Sequence, residues 1–368
     1  MIELELSAVM TEKGGIEDRL IRIPEGLRSA LNLTLGEFVI IQGMALQVDK
    51  VYKDDFILNP NKAFVTVNIF EKVGKTTTNF EIAKHITLGC DPEFFLVDKT
   101  NNCLYNPAFL FKKQGSIGHD GMAVELRPQP SLDQDVVVQH LYELIKGVKE
   151  TLEQHKLNNL DMIARSSGWG LFTGFHIHMG IPKNLLAPQQ KDFGKILKIL
   201  VKALDYYVGT LAVLAEKNDS ARRCSPFVNY GKVSDFRISQ RTLEYRVPGG
   251  ALLRHPGLAS GLLGMCSLVV HDLVERLGRY TNNFADTINV GEDTFLKDIY
   301  PNILESDKMF GVICTPTTQK AEEESLKILS DFKYMTNYKH YKNAITTFMN
   351  LKDMDISSNM WDNWQNTR

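Results

Sequence analysis

The sequence lacks the features that would assign it to a specialised class of protein. Its 368 residues carry a formal net charge of only −2, which gives no electrostatic reason to expect nucleic acid as the main partner. The five cysteines are an odd number without a CxxC pair, as is typical of core thiols in a reducing compartment. The first residues do not show the basic and apolar segments of a signal peptide. We also expect no run of about 18 apolar residues, the length of a membrane helix, and no membrane partner.

The composition is that of a globular protein with a sizeable core. Hydrophobic residues make up 43% of the chain and charged residues 23%, and the length suits about two domains. We expect a small β-rich unit over residues 1–80, a core of strands and long helices over 85–285, and a helical extension over 286–368. Residues 355–368 are polar and predict an exposed tail.

The N-terminal unit contains a strand, a helical turn that begins at a proline, a Gly turn and a second strand over residues 18–43. This stretch resembles the hairpins of AbrB-like and double-psi β-barrels. Some such units bind DNA, but residues 1–80 hold nine Lys/Arg against eleven Asp/Glu, which favours a docking or oligomerising barrel.

The stretch EKVGKTTTNF that follows does not fit a P-loop. Ile69 stands where the phosphate-binding pattern requires glycine. We therefore predict a solvated linker at residues 71–80.

Three long segments with amphipathic or apolar patterns predict helices at residues 131–156, 190–216 and 255–280. Short strand candidates lie before and between them. A glycine-rich stretch at 165–174 predicts a mobile loop over a site.

Four of these strand candidates carry ionisable residues two positions apart, which places each pair on one face of its strand. The pairs are Asp91 and Glu93, Glu125 and Arg127, His176 and His178, and Glu244 and Arg246. Each pair alone has an ordinary explanation, such as a solvent-facing pair, a surface histidine or a structural salt bridge. Four pairs flanked by apolar residues instead predict one polar surface, if the strands are neighbours in one sheet.

The chemistry of that surface points to metal and phosphate. Carboxylates with one or two imidazoles suit Mg²⁺ or Mn²⁺, which prefer oxygen ligands. Arginines hold phosphate oxygens in a bidentate manner. Together these residue types predict nucleotide chemistry.

The stretches GCDPEFFLVD, GFHIHMG and RTLEYRVPGG, in this order, resemble the ligand-bearing strands of the glutamine synthetase and glutamate-cysteine ligase superfamily. Within it, GCDPEF, HDGMAVELRP and HIHMG are most similar to the phage-type carboxylate-amine ligases, or amidoligases. The resemblance spans residues 86–255. It implies an α+β fold, a curved antiparallel sheet with helices on one face, in addition to the small N-terminal β-barrel.

The resemblance also implies roles for single residues. The implied metal ligands are Asp91, Glu93, Glu125, His176 and Glu244. The implied nucleotide- or phosphate-binding residues are His178, Arg246, Arg222, Arg223 and Arg127. Catalytic roles fall to Arg246, which holds the transferred phosphoryl group, to Glu125 at the amine subsite, and to Asp120 in GHDGM as a base for the amine.

The implied activity is ATP- and Mg²⁺-dependent amide formation through an acyl phosphate. Small-molecule or peptide carboxylates and amines would be the substrates, the chain would act in the cytoplasm, that of the host if a phage encodes it, and a homo-oligomer is possible. Two alternatives stay open. One is a phage structural or virion protein with a ligase-like fold and no turnover, and the other is a DNA-binding regulator that acts through the N-terminal unit.

Overall fold

The computed structural model describes residues 2–9, 19–51, 62–75, 77–82, 85–181, 193–239, 242–279, 292–355 and 359–366. Six strands in the first part of the chain close into a barrel in the order β1-β5-β2-β4-β3-β6. The strands are β1 (Ile2–Val9), β2 (Leu20–Arg22), β3 (Phe38–Ile41), β4 (Met44–Asp49), β5 (Ala63–Thr66) and β6 (Thr77–Ile82). The barrel predicted at the N-terminus is therefore confirmed, while its likeness to AbrB-like units stays a prediction.

Local sequence explains how the barrel turns. Gln42 and Gly43 both have positive φ, 49° and 82°, as a two-residue hairpin between β3 and β4 requires. Helix α1 spans Glu25–Ala30, and α2 spans Val67–Val73. Thr66 accepts a hydrogen bond from the Ile69 amide at the start of α2, and Gly74 ends the helix with a φ of 64°.

The linker predicted at residues 71–80 is thus wrong. Its first residues finish α2, Gly74 serves as the helix stop, and residues 77–80 belong to β6 of the barrel. Ile69 and Val73, four positions apart, bury one face of α2 on the barrel.

The second part of the chain builds an antiparallel sheet of eight strands, with β15-β16-β14-β7-β10-β9 in order and β8 and β11 also paired with β7. The strands are β7 (Thr87–Asp98), β8 (Leu104–Tyr105), β9 (Ile117–Asp120), β10 (Ala123–Leu126), β11 (Leu160–Ile163), β14 (Phe175–Gly180), β15 (Phe236–Ser239) and β16 (Thr242–Tyr245). A separate hairpin joins β12 (Ser167–Gly168) to β13 (Leu171–Phe172). The predicted α+β class is confirmed.

Helices pack on the apolar face of this sheet in one large core. They are α3 (Gln134–Gln154), α4 (Phe193–Leu204), α5 (Thr210–Glu216), α6 (Ala221–Cys224), α7 (Pro256–Arg279), α8 (Glu292–Ile299), α9 (Ser306–Ile313), α10 (Gln319–Phe332), α11 (Tyr338–Leu351) and α12 (Met360–Gln365). A π-helical turn, Asp205–Gly209, joins α4 to α5, and short 3₁₀ turns lie at Pro107–Phe109 and Gly250–Arg254.

The sequence of helix α7 contradicts the expectation that the chain has no run of about 18 apolar residues. Its residues Pro256–Leu277 have a mean hydropathy of 1.6, long and apolar enough to cross a membrane by length and composition. In the structure 83% of that window is buried, and α11 and α3 pack against the helix. The apolar run is therefore accounted for by the core.

The exposed tail predicted at residues 355–368 is wrong where the structure describes it. Met360 and Trp364, four positions apart in α12, are both buried. The Trp364 indole Nε1 donates to the Leu253 carbonyl at 2.7 Å. Residues 355–368 are polar on average, and this average hides the apolar face of α12.

The barrel contacts the sheet directly. Gln47 of β4 donates to the Thr242 hydroxyl at 3.2 Å, and Gln129 donates to the Ala45 carbonyl at 3.0 Å. At Gly180 of β14 a Cβ atom would collide with the ring of Phe38 from β3. The two parts of the chain are therefore packed at the β14 and β16 end of the sheet.

Candidate active site

The register of the sheet brings the four predicted pairs together. Glu125 on β10 lies opposite Glu93 on β7. On the other side of β7, His176 lies opposite Asp91, and His178 of the same strand lies opposite Glu244 on β16. The prediction that these strands are neighbours in one sheet is confirmed.

A cavity of about 480 Å³ lies over this polar face. Seven of the predicted site residues line it: Asp91, Glu93, Asp120, Glu125, His176, Glu244 and Arg246. Phe172, Asn229, Tyr230 and Arg237 complete the lining. His178, Arg127, Arg222 and Arg223 are not part of it.

Asp91 lies between the two histidines. Its Oδ1 is 3.2 Å from His176 Nδ1, and its Oδ2 is 3.0 Å from His178 Nε2. Burial acts to raise the pKa of Asp91, but the two histidines outweigh it and hold that pKa well below its usual value. Burial acts to lower the pKa of His178, and the Asp91 carboxylate outweighs it and raises that pKa. Asp91 therefore carries a fixed negative charge.

The other two carboxylates on this side are harder to ionise. Glu93 accepts a hydrogen bond from the Gly174 amide at 2.7 Å, and burial raises its pKa. Burial, followed by the charge of Asp91, raises the pKa of Glu125 to about 8, although Arg127 pairs with Glu125 and acts in the opposite direction. Buried carboxyl groups that suppress one another's ionisation are an arrangement that an added cation would stabilise.

On the β16 side, Glu244 and Arg246 form an ion pair. Arg246 Nε lies 3.1 Å from Glu244 Oε1, and Arg246 Nη1 lies 3.4 Å from Asp235 Oδ1. His176 Nδ1 is 3.7 Å from Glu244, so this histidine lies between the two acidic groups Asp91 and Glu244. The Arg246 guanidinium is thus held at the cavity wall by two carboxylates.

Tyr230 is a lining residue that the sequence analysis missed. Its hydroxyl lies 2.7 Å from His176 Nε2 and donates to Glu93 at 3.3 Å. The guanidinium of Arg222 stacks 4.0 Å from the centre of its ring, and that of Arg246 lies 4.9 Å away. The one local signal beside Tyr230 is Gly231, whose φ of 73° marks a turn.

Arg222 and Arg223 lie behind the cavity. Both are almost fully buried. Arg222 donates to the carbonyls of Val247 at 2.8 Å and Arg246 at 2.5 Å. Arg223 lies 3.4 Å from Glu216 and donates to the Lys217 carbonyl at 2.9 Å. Arg222 therefore supports the backbone that carries Arg246, and Arg223 supports the backbone at the end of α5.

The donor set fits a hard divalent cation. The carboxyl groups of five acidic residues and one imidazole line a common cavity, and a hard divalent cation prefers such oxygen ligands. Within the described ranges, no three His, Cys, Asp or Glu side chains already form a group ready to hold a metal ion. The close partners of Asp91 are histidines, and those of Glu125 and Glu244 include arginines.

A second cavity of about 500 Å³ adjoins the first at Phe172, which lines both. The hairpin β12–β13 forms one wall, and its turn residue Trp169 donates from Nε1 to the Asn102 carbonyl at 2.9 Å. Arg165 also lines this cavity, and its buried Nε has no hydrogen-bond partner. The predicted loop at 165–174 is therefore a hairpin between two cavities, and its movement stays a prediction.

Comparison with known proteins gives one family. A family model described as "Phage phiEco32-like COOH.NH2 ligase-type 2" matches residues 88–309. The search of curated proteins finds no match.

The solved structures that match this chain have low sequence identity to it and low TM-scores. A bifunctional glutathione synthetase from Pasteurella multocida is 13% identical with a TM-score of 0.38, over 76% of this chain and 53% of that one. A structure titled as a GmaS/ADP complex is 11% identical with a TM-score of 0.37, over 77% of this chain and 81% of that one. This chain spans about half the length of the glutathione synthetase. Likenesses at this level assign no residue a role.

Proposed function

Since the chain belongs to the family of phage phiEco32-like COOH.NH2 ligases of type 2, matched over residues 88–309, we propose that it forms an amide bond from a carboxylate and an amine at the expense of ATP. The observation that carries this proposal is the cavity on the sheet. Five carboxyl groups and an imidazole line it together with Arg246, and these are the residue types that bind metal-bound phosphate.

The roles follow from position. Asp91, Glu93, Glu125, His176 and Glu244 would hold Mg²⁺ or Mn²⁺, which when bound would offset phosphate charge and orient the attacking carboxylate. Arg246, fixed by Glu244 and Asp235, would hold the transferring phosphoryl group.

His178 and Arg127 would act from outside this cavity, beside Asp91 and Glu125 respectively. Arg222 and Arg223 act as positioning residues in this proposal because their guanidinium groups bind backbone carbonyls.

The reaction needs two transfers. A substrate carboxylate oxygen attacks the γ-phosphorus, and the bond to the bridging oxygen breaks to release ADP. The amine nitrogen then attacks the acyl carbon, and inorganic phosphate leaves. The proton lost by the incoming ammonium passes to a carboxylate, and Asp120, which is exposed and lines the cavity, is our candidate.

The second cavity would receive the organic substrates. It adjoins the charged cavity at Phe172, so a molecule in it reaches the polar face. Arg165 offers a positive charge to a substrate carboxylate, while Leu171 and Phe172 offer apolar contact. We therefore favour an amino acid or a short peptide as one substrate.

The test is calorimetric binding of a non-hydrolysable ATP analogue with and without Mg²⁺. Wild type, Glu93→Gln and Glu244→Gln are compared with Glu150→Gln, whose carboxylate is 55% exposed on α3. We expect Mg²⁺-dependent binding that falls by at least about tenfold in the first two variants and is unchanged in the third. A hydroxylamine screen for acyl phosphate then identifies the acid.

Failure of the wild type to bind the nucleotide with Mg²⁺ would contradict the ligase proposal. The two alternatives, a virion protein without turnover and a DNA-binding regulator, would then be the functions to test.

A further inference from the structure

The N-terminal barrel lies outside the part of the chain matched by the family, yet it reaches the polar face of the sheet. The contacts of Gln47 with Thr242 and of Phe38 with Gly180 place it over the ends of β16 and β14. His178, one of the predicted site residues, lies on β14 two positions before Gly180. The barrel therefore borders the site.

Arg19, the residue immediately before β2, occupies this border. With Phe38 and Gln47 it forms the barrel side of a small cavity of about 70 Å³. The sheet side includes Gly89 and His178. Nε and Nη2 of Arg19 are buried and have no hydrogen-bond partner among the described residues. Leaving buried arginine nitrogens unpaired is costly, so the position calls for an acceptor.

The acidic residues nearby do not supply that acceptor. The charges of Asp91 and Glu125 act on Arg19. In the described part of the chain, however, the close partners of Asp91 are the two histidines and that of Glu125 is Arg127, and Arg19 forms no ion pair. A purely structural counter-charge would be expected to contact the carboxylate that it neutralises.

Position also argues for a ligand. His178 lines the small cavity, and its Nε2 lies 3.0 Å from Asp91, which lines the large one. The two cavities are thus linked by the contact between His178 and Asp91, and an anionic group that reaches this contact from the large cavity would face Arg19, which lines the small cavity together with His178. Guanidinium is suited to bind two oxygens of one phosphate.

We propose that Arg19 binds a phosphate oxygen of the nucleotide beside His178, so that the barrel completes the active site. This inference rests on the proposed ligase function. It gives the barrel a direct part in substrate binding, in a residue that lies far from the family motifs in the sequence.

The experiment measures binding of two probes, each with Mg²⁺: the non-hydrolysable ATP analogue and inorganic tripolyphosphate. Wild type is compared with Arg19→Gln and Arg19→Lys, and with Lys50→Gln as a charge-matched control at an exposed position of the barrel. We expect Arg19→Gln to weaken both probes by about tenfold or more. Arg19→Lys should recover part of the loss, and Lys50→Gln should bind as wild type does.

The outcomes separate the two proposals. Absence of nucleotide binding in wild type contradicts the ligase function itself. Equal binding by wild type and Arg19→Gln, or a loss confined to the nucleotide while tripolyphosphate binds unchanged, overturns the phosphate role of Arg19 alone.

If Arg19→Gln does not fold, hydrogen exchange on wild type decides. The peptide that contains Arg19 and β2 should exchange more slowly with Mg²⁺-tripolyphosphate, and unchanged exchange overturns the proposal.

Discussion

The hydroxyl of Tyr230 lies 2.7 Å from Nε2 of His176, while Nδ1 of the same ring lies 3.2 Å from Asp91. Both ring nitrogens are thus engaged, which fixes the plane of the imidazole in the cavity wall. The ring of Tyr230 is itself stacked on the buried guanidinium of Arg222. Tyr230, which lies in a loop outside the sheet, therefore orients His176 in strand β14.

Replacing Tyr230 by Phe should loosen that orientation without unfolding the protein. Loss of the short hydrogen bond to His176, of about 0.5–1.5 kcal/mol, predicts a two- to tenfold loss of Mg²⁺-nucleotide affinity, measured by calorimetry. Tyr334→Phe, at a side chain that is 80% exposed, serves as the control. Unchanged affinity in Tyr230→Phe would mean that His176 keeps its position without this contact.

Gly174 is a position where the site tolerates little change. A Cβ there would collide with His176 Nε2 and lie 2.5 Å from the Tyr230 hydroxyl. We predict that Gly174→Ala costs about 1–3 kcal/mol in the free energy of unfolding and abolishes measurable nucleotide binding. Gly194→Ala, with nothing within 4 Å of the added atom, is the matched control for chemical denaturation. A stable Gly174→Ala variant that binds normally would contradict the described geometry.

Asp205, buried in the π-helical turn, predicts a pH-dependent stability. It accepts hydrogen bonds from Tyr245 at 2.9 Å and from the Ser234 amide at 2.8 Å, and burial raises its pKa to about 7. Between its ordinary value of 3.8 and about 7 the folded protein holds a proton that the unfolded chain has released. This contribution to stability therefore decreases as pH rises through that window and is constant above it.

The measurement is denaturation of wild type and Asp205→Asn at pH 5 and pH 8. We expect wild type to lose about 2–4 kcal/mol more than the variant between the two values. Parallel behaviour of the two proteins would show that Asp205 does not titrate in this range.

Trp364 tests the docking of the last helix. It is buried and donates to the Leu253 carbonyl in the 3₁₀ turn Gly250–Arg254. Trp364→Ala should lower the free energy of unfolding by about 3–5 kcal/mol, whereas Trp361→Ala, at a half-buried position, should cost clearly less. Equal losses would place the stabilisation in the helix as a whole and not in this indole.

The sheet face was predictable because strands repeat every two residues. The two-residue spacing of Asp91 and Glu93, and that of His176 and His178, predicts from the sequence alone that each pair lies on one face of its strand. Tyr230 follows no such period, since it reaches the cavity from a loop between α6 and β15. Arg222 and Arg223 were recognisable as important positive charges, but their burial depends on carbonyl groups that only the folded backbone brings to them.

Arg19 shows a second limit of prediction from the sequence. Its neighbours across the barrel contact, such as His178, are remote in sequence, and no local pattern marks it. The tail residues Met360 and Trp364 did carry a local signal, the spacing of a helical face, which the polar average hid.

Strand β7 pairs with four strands, β8, β10, β11 and β14, and the last of these lies about 80 residues further along the chain. Its first half pairs with β14, and β14 in turn needs β16 to place Glu244 opposite His178. Such long-range pairing forms late in folding, after the local helices. A chain emerging from the ribosome would thus hold Asp91 and Glu93 long before it could present Glu244 and Arg246 beside them. The polar cavity would therefore be complete only once the whole chain has been synthesised and folded.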